Sequence, residues 1–159
     1  MLQKYMTVFL ISMVPLIELR GAIPYSTMMG LPLFQSYIVA ILGNMLPVPI
    51  IYLFARKVLE WGADKPVIGG FFTWCLEKGK RGGEKLQAKA GQGLFIALLL
   101  FVGVPLPGTG AWTGTLAASL LDIDFKSSIL AVMGGVLLAG IIMGLASAGV
   151  LGALQSVVV

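Results

Sequence analysis

Glu18 and Arg20 stand two residues apart in the run Glu18-Leu19-Arg20-Gly21-Ala22-Ile23-Pro24, a carboxylate and a guanidinium inside an otherwise apolar stretch. At hydrocarbon depth each such charge costs about 2.5–3.5 kcal/mol, so the pair marks a polar cavity or a tight set of partners. On a continuous helix the two side chains point about 200° apart and cannot neutralise each other. Gly21 permits local unwinding, and Pro24, lacking an N–H, frees the Arg20 carbonyl. Two roles follow. Glu18 carries a proton while Arg20 grips an anionic group in bidentate fashion, or both charges lock this turn to the other half of the chain. With no histidine in the sequence, proton transfer near neutral pH falls to a carboxylate.

A second constellation is Val104-Pro105-Leu106-Pro107-Gly108-Thr109-Gly110-Ala111-Trp112-Thr113-Gly114. Pro105 and Pro107 free the carbonyls of Phe101 and Gly103, while Gly108 and Gly110 allow positive φ and close backbone approach. Thr109 or Thr113 is expected to cap a helix restarting near Ala111. The unpaired N–H groups of such a helix start are a ready site for an anion. The glycine spacing fits neither a phosphate-binding loop nor a dinucleotide fingerprint. In a third place Asn44, Pro47 and Pro49 interrupt an apolar run. The prolines should kink it and leave the carbonyls of Gly43 and Met45 open, with Asn44 either satisfying one of them or facing a cavity.

The elements that must position these residues belong to a membrane. Mean hydropathy is +0.96, 58% of residues are hydrophobic, and the charged fraction of 11% is less than half the roughly 25% of a soluble chain. Apolar segments fall at about 5–17, 33–55, 93–106 and 128–154. A crossing needs about 20 residues, so the second and fourth suffice, whereas the first and third stop short at Glu18 and at Pro105. Each short segment resumes as a second limb, over 22–31 and 111–121. Residues 5–17 superficially resemble a signal peptide, but without a small-residue cleavage site they are expected to stay in the mature protein.

The pattern occurs twice. A shift of 91 lays 34–55 over 125–146 with nine identities in 22 positions, from Phe34/Phe125 to Ala55/Ala146, and a shift of 90 matches Val14-Pro15-Leu16 to Val104-Pro105-Leu106. The fold expected is an all-α integral membrane protein, an inverted repeat of re-entrant helical hairpin plus transmembrane helix, with broken helices meeting near the midplane. It forms a single membrane domain over 1–159: repeat one at 1–56, a basic cytoplasmic linker at 57–92 and repeat two at 93–159. If all four segments spanned, the repeats would instead be parallel and both termini cytoplasmic.

Of the 11 Lys and Arg, only Lys4, Arg20 and Lys126 lie outside 56–89. That asymmetry puts the linker on the cytoplasmic side, near anionic headgroups. The net charge of +4 carries no nucleic-acid-binding motif. Trp61 and Trp74 read as interfacial anchors, Asp122 and Asp124 as interfacial residues, and Gly140-x-x-x-Gly144 as a helix-packing motif. Cys75, the single cysteine, is expected to be a reduced thiol. No nucleophile–base pair suggests an enzyme, and no cofactor or metal is implied.

The motifs 18–24 and 105–114, with Gly43-Asn44 between them, resemble the family of putative small multidrug export proteins over nearly the whole chain. That family is similar to the DedA/VTT membrane proteins. The resemblance implies a small-molecule transporter, proton coupled, or alternatively a DedA-like flippase for an anionic lipid-phosphate such as undecaprenyl phosphate. The substrate- or ion-binding set expected is Glu18, Arg20, Gly21, Pro24, Asn44, Pro105, Pro107, Gly108, Thr109, Gly110, Trp112 and Thr113. A multi-pass protein of the inner (plasma) membrane is expected, with membrane lipids and protons as partners. Because two crossings shield little cavity from lipid, it is expected to form a homodimer.

Overall fold

The computed structural model describes residues 1–74, 76, 77, 80, 84, 93–106 and 108–158, the stretch 150–158 by backbone alone. Cys75, Pro107 and the linker bases Lys78, Arg81, Lys85 and Lys89 lie outside the described residues, and with them the expectations placed on them. Within the described residues all regular structure is helical. The principal helices are α1 (Leu2–Met13), α2 (Glu18–Met28), α3 (Leu33–Ala63), α4 (Leu94–Gly103), α5 (Ala111–Leu120) and α6 (Phe125–Val158). Two stretches, Leu33–Ala63 and Phe125–Gly149, are long and apolar enough to cross a membrane.

The short helices pair into hairpins. α1 has 12 residues and α4 has 10, about 18 and 15 Å, or roughly half of a 30 Å hydrocarbon core. α2 returns antiparallel to α1, for the Lys4 ammonium at the start of α1 donates to the Met29 carbonyl beyond the end of α2 at 3.0 Å. In the second hairpin Gly114, in the first turn of α5, lies against Val102 and Leu98 of α4.

Positions matched by the sequence shift share backbone geometry. α1 ends at Val14 and α4 at Val104, both extended, with ψ of 127° and 119°. Both hairpin turns contain a positive φ at the matched residues Glu18 (51°) and Gly108 (80°). α2 and α5 end alike as well. A left-handed residue, Gly30 or Asp122, is followed by an N–H that bonds back to the third-last turn position, Leu31 to Ser26 and Ile123 to Ala118, each at 3.0 Å. This is the Schellman arrangement that satisfies otherwise orphaned carbonyls. Gly43 of α3 packs on Phe9 of α1, and its counterpart Gly134 of α6 packs on Leu99 of α4.

The long helices run antiparallel. The Tyr37 hydroxyl donates to the Leu137 carbonyl at 2.7 Å, Leu33 covers Gly144, and at the opposite end Arg56 pairs with Asp122. Arg56 also pairs with Glu60 at 3.0 Å, and Asp124 caps α6 through the Ser127 N–H at 3.1 Å. The prolines of α3 act in sequence: the helix bends at Leu46, restarts at Pro47, and widens into a π-helical turn over Ile51–Ala55. Such turns absorb a break in the hydrogen-bond ladder without ending the helix.

Small residues set how closely the elements approach. Ala22, Ala40, Ala111, Ala118 and Ala131 are fully buried, as expected where packing rather than the hydrophobic effect must drive association in lipid. Gly140 is the tightest point of the α3–α6 crossing, because a Cβ there would come within 2.9 Å of Tyr37 Cδ2. Gly140→Ala is therefore expected to lower stability in detergent by about 1–3 kcal/mol. Gly149→Ala, where no atom lies within 4 Å of the added Cβ, should not lower the melting temperature, since alanine also favours the helix.

Candidate functional site

The turns of the two hairpins meet, and the charges of the first meet the broken backbone of the second. α2 begins at Glu18, whose buried carboxylate, 4% exposed, accepts the Ala111 N–H at 3.1 Å and the Trp112 N–H at 3.0 Å. These are the first two residues of α5. A helix start carries unpaired N–H groups and about half a positive charge, and the carboxylate satisfies both. Arg20, half-buried, points to the other side of the break. Its guanidinium donates to the carbonyls of Leu106 (2.6 Å), Val102 (3.2 Å) and Val104 (3.3 Å) and to the Thr109 hydroxyl (2.9 Å). There it covers the carboxyl end of α4, the negative pole of that helix dipole. A third link closes the junction, the Trp112 indole N–H donating to the Met13 carbonyl at 3.2 Å.

This arrangement departs from the sequence reading in three respects. Gly21 does not unwind the backbone but sits inside α2, where its missing Cβ makes room for Ile17. The two charges are therefore not brought together: positive φ at Leu16 and Glu18 precedes a helix that starts at the carboxylate itself, and each charge takes its own partners across the junction. Neither Thr109 nor Thr113 caps α5: Gly110 is the N-cap residue, no side-chain bond comes from it, and the cap arrives from Glu18, 93 residues away. Thr109 accepts from Arg20 and donates to the carbonyls of Val104 or Leu106, and Thr113 turns back to Gly110 at 3.4 Å. Finally, Arg20 grips no anionic group in this arrangement but donates to backbone carbonyls, those of Val102, Val104 and Leu106.

Glu18, Thr109, Trp112 and Thr113 border a cavity of about 290 Å³. Its remaining wall is apolar: Pro15 and Leu16 from the first turn, Leu116 from α5, and Ile51, Ala55, Val58 and Leu59 from α3. That α3 wall was missed from sequence. Its i, i+4, i+7, i+8 spacing marks one helix face, but an apolar helix in an apolar chain offers no contrast by which to pick it out. Gly108 and Gly110 hold positive φ of 80° and 138° in the second turn, and Pro105 is half-buried there. Pro24 lies one turn beyond Arg20 in α2. Asn44 is 2% exposed with its Oδ1 unpartnered, and it does not line the cavity. Among the described residues no group of three metal-ligating side chains converges.

Two helices long and apolar enough to cross a membrane, flanked by two pairs of short apolar helices, mark a helical membrane protein. A family model described as "Putative small multi-drug export protein" matches residues 18–142, from the hairpin-one carboxylate into α6, and the chain belongs to that family. No curated protein and no solved structure matches the chain.

Proposed function

We propose that the protein is a proton-coupled exporter of small molecules, with its transport site in the cavity beside Glu18. The observation that carries this reading is the position of Glu18: one carboxylate both borders the cavity and holds the start of α5. Protonation removes the charge that the helix N-terminus binds, so loading the cavity and releasing the hairpin junction become a single event. Two hairpins of half-crossing length, joined at their turns and flanked by antiparallel long helices, fit an inverted repeat of re-entrant hairpin plus crossing helix. In that arrangement Arg56, Lys57 and Lys65 mark the cytoplasmic end by the positive-inside rule. Arg20 stays out of the cavity, and this reading gives it the junction rather than the substrate.

The test is transport in liposomes with an imposed pH gradient, using a panel of uncharged, cationic and anionic dyes. Wild-type protein is expected to accumulate at least one of them, and Glu18→Gln none, while both retain the same helical circular dichroism. Gradient-driven uptake that persists in Glu18→Gln would remove the coupling role.

A further inference from the structure

We infer that the cavity takes a lipophilic organic cation, its positive centre against the Glu18 carboxylate and its apolar body along Trp112 and the α3 wall. The inference rests on the transport reading of the same cavity and adds the class of substrate. Among the described residues Glu18 is the one charged side chain bordering the space, because Arg20 is turned away onto the α4 carbonyls. The two N–H bonds from Ala111 and Trp112 occupy two of the carboxylate's roughly four acceptor directions. The helix start behind them supplies only about half a compensating charge.

An anion entering this space would face that carboxylate, and among the described residues no Lys or Arg lines the wall to meet it. A small inorganic cation would have to exchange its water for oxygen ligands, typically six or more for a divalent ion, and among the described residues the side-chain oxygens of the wall are those of Glu18, Thr109 and Thr113, set among Pro15, Leu16, Ile51 and other apolar groups. An organic cation needs neither, since its charge is spread over a body that apolar walls solvate. Trp112 adds an aromatic surface suited to cations. Its N–H is already engaged by the Met13 carbonyl, so binding costs it no hydrogen bond.

Trp61, Trp74 and Trp112 are the only tryptophans, so the full chain carrying Trp61→Phe and Trp74→Phe reports from the cavity by its fluorescence. Benzyltrimethylammonium is expected to change that emission saturably. Neopentylbenzene, in which carbon replaces the ammonium nitrogen, and benzenesulfonate are expected to bind at least tenfold more weakly. Glu18→Gln should abolish the preference for the cation, and Ala55→Phe, which fills the cavity from α3, should weaken all binding. If Glu18→Gln does not fold, the isostere series in the parent protein decides alone. Equal binding of the neutral isostere, or tighter binding of benzenesulfonate, overturns the cation assignment; Glu18-dependent uptake of another dye class would then leave the transport reading standing. Cation binding without gradient-driven uptake of any dye would support the site and sink the transport reading.

Discussion

Arg20→Met is expected to destabilise the protein by about 3 kcal/mol, since it strips charge-assisted hydrogen bonds from a buried helix end while leaving the opposite charge in place. The four acceptors of Arg20 do not suffer equally. Val104 and Leu106 carbonyls also receive the Thr109 hydroxyl, and the Leu106 N–H reaches Val104 at 2.8 Å. Val102 is buried in the last turn of α4, and Arg20 is the group that reaches its carbonyl across the break. A carbonyl orphaned in a buried helix end carries the desolvation cost of an unmet acceptor. Arg20→Lys should recover only a minor part of the loss, because an ammonium is a compact donor and cannot span Val102, Leu106 and Thr109 together. Denaturation in mixed micelles, followed by circular dichroism, measures both variants. Equal stability of Arg20→Met and the parent would mean that the junction is held by packing alone.

The features legible in the sequence are those carried by local chemistry. The short limbs, their breaks at Glu18 and Pro105, and the long apolar helices follow from where charge, proline and glycine interrupt hydrophobic runs. The likeness of the two halves, read from identities such as Gly43/Gly134, corresponds to matched caps at Val14 and Val104 and to equivalent packing on Phe9 and Leu99. Partner choice across the junction was not legible. A threonine two residues from a helix start is a reasonable cap by local rules, and nothing within 104–114 signals that a carboxylate 93 residues earlier takes that place. The same holds for Arg20: prolines identify a region of freed carbonyls, but the trajectory of the turn determines which of them face the guanidinium. Unwinding at Gly21 was expected as the way to reconcile two charges on one helix. Crossed partners remove the need, because each charge meets the helix pole of opposite sign on the other hairpin.

Gly110→Ala is expected to be the most damaging single-methyl change in the junction. Its φ of 138° and ψ of −174° lie in a region that is essentially reserved for glycine, at a cost of about 1–3 kcal/mol for any other residue. Space compounds the strain, since a Cβ would come 2.8 Å from the Glu18 Cδ and collide with the carboxylate oxygens. Glu18 must then withdraw, uncapping Ala111 and Trp112 together. Gly108→Ala separates the two effects, because φ is also positive there but no atom lies within 4 Å of the added methyl. It should show the conformational strain alone, roughly 1–2 kcal/mol. The decisive measurement is a double-mutant cycle. Glu18→Ala removes the group with which the methyl collides, so Gly110→Ala should cost about as little in that background as Gly108→Ala does in the parent protein. Strict additivity of Gly110→Ala and Glu18→Ala would show that the carboxylate does not sit against the start of α5.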